Sequence, residues 1–483
     1  GNRGDFYENR DDDHSPLDLD RYPQLIAVEH GPQAVAAGWH RGVAEGLALT
    51  LGTEAAPVLF GNSSTAVVEG PFWRSMARLA LTERFRPEEL ARQYFSNQLY
   101  IYPEHKDHDP FFGDVFPALT PYGIVTQGSS WSDERAMNAI ALMLAALPPD
   151  VKQTLIRERL IAPTLQMLWR RGQKGIETDA DYLSARAHPT VFDPETADIE
   201  KLVRLANGLT ALTLPGVVRL NVVQETQPAP GITVFGDGLS ERLFDTPSAI
   251  ARVFRRTDQE MRLVVSAAET RDPNGLPQRF RWRLLRGDPD RVTITPLGAQ
   301  GRAAEIAVRW HPQRTKTEDG LRAPRVDIAV FADNANQLSA PAFVSVLFPP
   351  RQARRYDAQG RIEQIEYDAP ALQDEYADPN LFPERLWRDR YVYLDDGSPM
   401  GWRRLGLSRE QRYTRHGALI VSTDLQGRPF TGAITRYPLL PSRDGRRRAE
   451  PSATRRGLLY EYDGLEDAAG VARSVRLSAG DLQ

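Results

Sequence analysis

A multidomain chain is predicted, with a mixed α/β N-terminal domain, then an antiparallel β-sandwich and a β-rich C-terminal region. Three observations lead there. The 483 residues exceed one ordinary domain. Up to about residue 227, short apolar strands are mixed with punctuated helices. Beyond the Pro-rich Gln227-Pro228-Ala229-Pro230-Gly231, runs alternate or are β-branched, with turn signals between them. The divisions that follow are an acidic arm over 1–21, the α/β domain over 22–227, the sandwich over 232–368 and the β-rich region over 375–483.

The first twenty residues hold seven acids and two bases, Asp11-Asp12-Asp13 among them, and read as a solvated arm. Val58-Leu59-Phe60, Leu99-Tyr100-Ile101-Tyr102 and Tyr122-Gly123-Ile124-Val125-Thr126 read as buried strands, each followed by turn chemistry. Ser130 and Asp133 stand at capping-box spacing before a helix whose Met137, Ile140, Ala141, Leu144 and Leu147 recur at helical period. Pro148-Pro149 ends it. Further helices are predicted over 151–160, from Pro163 to Gly172, and over 199–205. Strands are predicted at 262–267, 280–285, 292–295, 305–310, 326–331 and 342–348, and later at 391–394 and 418–421.

Ser266 to Asp288 reads SAAETRDPNGLPQRFRWRLLRGD, with Asp272, Asn274 and Gly275 in a turn and Phe280-x-Trp282 on the next strand. This stretch resembles the PKD and cadherin-like branch of Ig-fold sandwiches. The resemblance covers about residues 232–368 and implies an Ig-like (PKD-like) antiparallel sandwich of the kind that accompanies secreted or surface proteins. Tyr356-Asp357-Ala358-Gln359-Gly360-Arg361-Ile362 resembles one Rhs-type YD hairpin. It and Thr423 to Arg428 are read as β-hairpins.

Composition excludes several classes of function. Cysteine is absent, which removes disulfides, thiol nucleophiles, iron–sulfur clusters and Cys-ligated zinc. Hydrophobic residues at 41% and charged residues at 26% exclude wholesale disorder. A net charge of −4 offers no electrostatic basis for binding nucleic acid. The longest apolar run, Ala139 to Leu147, is too short for a transmembrane segment. The lack of cysteine fits a bacterial envelope protein, periplasmic or secreted, with a signal peptide removed upstream of Gly1. Five lysines among 60 basic residues fit a GC-rich genome.

Three polar segments follow predicted strands. In Glu104 to Pro110, His105 and His108 with Asp107 or Asp109 could ligate a divalent zinc, iron or manganese ion. They could equally act as general acid and base, or simply tie down a polar turn. Metal is assigned to His105, His108 and Asp109, and catalysis to His105, His108, Asp107 and Ser130. In Gln127 to Asp133, the glycine and serines, Ser129 and Ser130 with Asp133, stand where a helix start could receive an anion, and the other reading is plain helix capping by Ser130 or Ser132. Asn62 and Ser63 follow the first strand and could line the same cleft, as ligand-binding residues with Ser129 and Asp133. Trp39, Trp73, Trp131 and Trp169 are read as core. If the three strands are parallel neighbours, all three segments converge at one sheet edge.

Two functions fit. One is a secreted or periplasmic binding or surface protein that uses its β-sandwich modules for interaction. The other is an envelope hydrolase acting on glycan or protein through a His/Asp site in the N-terminal domain.

Overall fold

The computed structural model describes residues 4–10, 15–29, 31–36, 57–63, 66–69, 72–82, 86–104, 116–127, 131–226, 241–312, 325–367, 386–406 and 410–414, together with the backbone of short strands between 419 and 474. The first half is α/β. Its strands are β1 (Asp5–Arg10), β2 (Leu25–Val28), β3 (Leu59–Ser63), a hairpin of β4 (Ala66–Glu69) and β5 (Phe72–Ser75), β6 (Gln98–Glu104) and β7 (Gly123–Gln127). Its helices are α1 (Pro32–Ala36), α2 (Met76–Thr82), α3 (Arg86–Tyr94), α4 (Glu134–Ala146), α5 (Pro149–Arg157), α6 (Ile161–Arg171), α7 (Asp179–Tyr182) and α8 (Ile199–Asn207).

Five strands form one sheet in the order β2-β1-β3-β6-β7, and every pairing in it is parallel. The acidic arm expected over 1–21 is therefore corrected: β1 lies inside this sheet. Its two buried acids find partners within the fold rather than in solvent. Asp5 is 2% exposed and accepts a 2.6 Å bond from Lys152 Nζ of α5. Glu8 is fully buried and accepts a 2.6 Å bond from the Tyr100 hydroxyl. A buried acid needs such a partner, and net acidity along a segment does not reveal one.

The second half is β-rich. Its strands are β8 (Asn221–Glu225), β9 (Arg242–Thr246), β10 (Ala249–Val253), β11 (Glu260–Ser266), β12 (Arg279–Arg286), β13 (Val292–Leu297), β14 (Ala303–Arg309), β15 (Arg325–Asp333) and β16 (Ala342–Leu347). They build two sheets, β12-β15-β16-β10-β9 and β13-β14-β11-β8, antiparallel except where β10 runs parallel to β16. The strand β8 precedes the Pro-rich stretch and already pairs with β11.

A third sheet contains β17 (Ala353–Tyr356), β18 (Ile362–Glu366), β19 (Trp387–Tyr393), β20 (Pro399–Gly406), β21 (Glu410–Thr414) and β22 (Leu419–Ile420). The Tyr356–Ile362 hairpin joins its first two strands. The Asp357 carboxylate there accepts from the backbone of Gln359 and Arg361. The Ser422–Thr423 and Pro429–Phe430 strands likewise pair antiparallel.

The strands β15 and β16 are buried along nearly their whole length, and the reason is a two-sided environment. Alternate side chains point to opposite faces of a strand. Val326, Ile328 and Val330 join Val344 and Val346 in a core shared with β11 and β14. Ala329, Phe331 and Phe343 join the core of the α/β half. One sheet therefore serves two cores, and the two halves pack without an intervening solvent layer.

Polar groups fix that contact. Arg325 donates to both carboxylate oxygens of Asp327 at 2.8 and 2.9 Å, to Thr190 Oγ1 at 2.7 Å and to the Phe116 carbonyl. Ser345 donates to Asp327 at 2.6 Å and accepts from Leu119 N at 3.0 Å. Among the described residues no single helix is long and apolar enough to cross a membrane.

Candidate site at the carboxyl edge of the parallel sheet

Because β1, β3, β6 and β7 are parallel neighbours, their carboxyl ends lie on one edge. Counted within this sheet alone, the strand order is 2-1-3-4-5. In doubly wound sheets of that order, the winding of the chain switches sides between the first and third strands, and the crevice at their carboxyl ends receives ligands. Here that position is Asn9 and Arg10 of β1 opposite Asn62 and Ser63 of β3.

Asn62 is fully buried there, and its Nδ2 donates a 2.7 Å bond to Oδ2 of Asp133. These are two of the residues singled out from the sequence, 71 positions apart, brought into contact. Asp133 does not perform the capping expected of it. It occupies the cap position of α4 with helical backbone angles and makes no side-chain cap bond. Its carboxylate turns toward β3 instead.

Asp133 is fully buried, and burial pushes its carboxyl pKa above the ordinary value. The bond from Asn62 and the nearby Ser15 hydroxyl pull it back only in part. Asp133 Oδ1 has no hydrogen-bond partner among the described residues. A fully buried carboxylate oxygen left open costs free energy, unless a bound donor completes it.

Backbone strain marks the same edge. Ser15 has φ 47° and Trp131 has φ 83°, both in the left-handed region. Trp131 is 54% exposed, which corrects its assignment to the core, whereas Trp169 is fully buried as expected. Thr126 at the end of β7 shares a 3.1 Å hydrogen bond with Ser132. One row deeper, Glu8, Gly61 and Tyr100 stand in register across three strands. Gly61 stands on the strand between them, and the Tyr100 hydroxyl donates to Glu8 across it.

His105, Asp107, His108, Asp109, Ser129 and Ser130 lie outside the described residues, as does Trp39. For Ser63 the backbone alone is described, within β3, and the same holds for Trp73 within β5. Among the described residues no group of three His, Asp or Glu side chains is placed to hold a metal ion. His188 is held inside the fold by its neighbours. Its Nε2 bonds the Tyr182 carbonyl at 2.5 Å and its ring packs on Phe331. Sequence reasoning missed Glu8, Ser15 and Tyr100, because each acts through a neighbour brought in by sheet register.

No family model matches this chain, and no curated protein does. Among solved structures, the N-terminal Ig1-2 module of the Drosophila receptor protein tyrosine phosphatase DLAR is 12% identical, with a TM-score of 0.14 over 49% of this chain and 97% of that one. The tandem Ig repeats of Dlar give 10% identity and a TM-score of 0.13, with the same two coverages. A nucleoside hydrolase-related hypothetical protein from Saccharophagus degradans, associated with carbohydrate metabolism, is 10% identical, with a TM-score of 0.20 over 60% of this chain and 71% of that one. Overlays at these scores carry no argument about fold or activity.

Proposed function

We propose that this chain is a bacterial envelope hydrolase acting on a glycan or protein substrate at the carboxyl edge of its parallel sheet. The observation that carries the reading is the buried Asn62–Asp133 pair at the point where strand order reverses, with one carboxylate oxygen still open. A carboxyl group whose pKa is raised by burial is suited to taking a proton from water, or returning one to a leaving group, near neutral pH. In this reading Asp133 is the acid–base and Asn62 orients it. The 105–109 and 128–130 segments, which follow β6 and β7 in sequence, contribute His105, His108, Asp107, Asp109 and Ser130. A divalent metal held by His105, His108 and Asp109 would polarise the substrate or activate water. The absence of cysteine is compatible with an oxidising compartment, periplasmic or extracellular.

A second reading, a binding or surface protein, is favoured by the order of the β strands. With β8 as A, β11 as B and β12 as C, one sheet runs D-E-B-A and the other C-F-G continued by β10 and β9, an order compatible with an Ig-like arrangement. Trp282 is buried on the C strand, where Ig domains carry their core tryptophan, and its Nε1 donates to the Gly301 carbonyl at 2.8 Å. These features support the Ig-like sandwich, and β-modules of that type serve adhesion as readily as substrate presentation.

A panel of chromogenic glycosides and peptides, run with and without chelator, separates the two readings. Turnover by the wild type is expected, with a loss of at least about 100-fold in kcat for Asp133→Asn. Unchanged turnover in that variant would remove Asp133 from the mechanism. Binding without turnover by any metal-loaded sample would favour the surface protein.

A further inference from the structure

Arg170 in α6 is 1% exposed, yet no carboxylate pairs with it among the described residues. Other buried arginines differ. Arg252 is paired with Glu225 and Asp245, Arg256 with Glu241, and Arg325 with Asp327.

Arg170 Nε donates to Gln166 Oε1 at 3.1 Å, and Nη1 faces His188 Nδ1 at 3.4 Å. Nη2 has no hydrogen-bond partner among the described residues. The His188 ring is neutral, because burial holds its pKa well below the ordinary value, and Tyr94 and Tyr182 stay protonated for the same reason. The guanidinium sits over the rings of Phe192 and Phe343, at 5.1 and 5.5 Å, and these offer it a polarised face but no charge. Burial moves its pKa down to about 10, so it remains a cation at neutral pH. A buried cation without a counter-charge is among the costliest groups a fold can hold.

Arg170 also stands in the wall of a small, partly enclosed cavity of about 30 Å³. One water needs about 10–15 Å³ of such space, so this one takes a water or two and is too small for phosphate or an organic acid. No acidic side chain lines it, and Leu81, Leu90, Phe116 and Phe192 make its wall largely apolar. A second donor shares the cavity. Thr190 lines it too, and its Oγ1 accepts a 2.7 Å bond from Arg325, which leaves the hydroxyl proton to point elsewhere. No acceptor for that proton is found among the described residues. Water in this space would accept hydrogen bonds and leave the charge of Arg170 uncancelled. A halide ion is little larger than water, accepts from several donors at once and supplies the missing negative charge, which counts for most where the dielectric is low.

We propose that this cavity, between β6, β7 and helices α2, α3 and α6, holds a single halide ion, chloride, as the counter-ion of Arg170, with the Thr190 hydroxyl as a second donor. The site is separate from the Asn62–Asp133 edge and does not depend on that edge being catalytic.

Thermal unfolding of the full chain tests it, with sodium gluconate exchanged for sodium chloride or bromide at constant ionic strength. Gluconate is too large to enter. Either halide should raise the wild-type Tm along a saturable curve, by about 1–3 °C at a tenfold excess over Kd. Arg170→Met, which removes the charge, should lose this dependence. So should Ala77→Leu, which fills the cavity and leaves Arg170 in place, whereas Asp133→Asn should keep it. Crystals grown in bromide should show one anomalous peak between Arg170 and Thr190. The same halide response in Arg170→Met as in the wild type would be a general salt effect and would overturn the proposal. So would a wild-type Tm indifferent to halide, or water alone in the cavity of bromide-grown crystals. A bromide peak without any halide-dependent Tm would mean an adventitious ion only, and would overturn it equally.

Discussion

Asp133 shows how one side chain carries opposite demands. Its pKa is raised on folding, so between the unfolded and folded values the native state holds the extra proton. Stability from this group is therefore greatest below the unfolded value of about 4 and falls as pH rises through the folded one. Asp133→Asn keeps an acceptor for Asn62 and removes the charge. We predict a flatter dependence of Tm on pH above about 4 and, at pH 7, stability equal to or about 1 kcal/mol above wild type. A variant less stable than wild type at pH 7 would show that the fold needs the carboxylate. From sequence, Asp133 was legible as a polar residue at a helix start, and Ser-x-x-Asp spacing suggested a cap. Whether such a side chain turns back to its own helix or across to a strand end depends on a contact with Asn62, 71 residues away. No local pattern encodes that.

Among the elements, β3 is the most constrained. A Cβ added at Gly61 would lie 2.0 Å from the Glu8 carbonyl oxygen on β1, and backbone there cannot swing aside as a flexible side chain can. Gly61→Ala should part β1 from β3 and cost more than about 2 kcal/mol, read as a lowered midpoint in urea unfolding. A midpoint within error of wild type would contradict the register. The strands themselves were legible, since Val58-Leu59-Phe60 and Leu99 to Tyr102 are apolar and β-branched or aromatic, and they appear as β3 and β6. Exceptions have a common cause. β1 reads as acidic because the partners of its acids, Lys152 for Asp5 and the Tyr100 hydroxyl for Glu8, are both distant in sequence. β15 and β16 lack the polar alternation of a half-exposed sheet because both faces meet a core.

At the scale of the molecule, the shared sheet couples the halves. Breaking the Arg325–Asp327–Ser345 cluster or exposing Phe331 and Phe343 would leave groups of both halves unsatisfied at once. We predict that residues 4–367 unfold in one calorimetric transition, and that Arg325→Met broadens or splits it. Two well-separated transitions in the wild type would refute the coupling. The succession of α/β and β-rich segments was legible from the change of hydrophobic period near residue 227. Their mutual packing was not, because it depends on which face of β15 each residue occupies.

The early entry of β8 into the second sheet has a practical consequence for anyone dissecting this molecule. The prolines after residue 226 invite a cut, yet β8 covers the outer side of β11. A fragment begun at the prolines would leave a naked row of amides and carbonyls along β11, able to recruit strands from neighbouring copies, so such fragments should precipitate where one begun ahead of Asn221 stays dispersed.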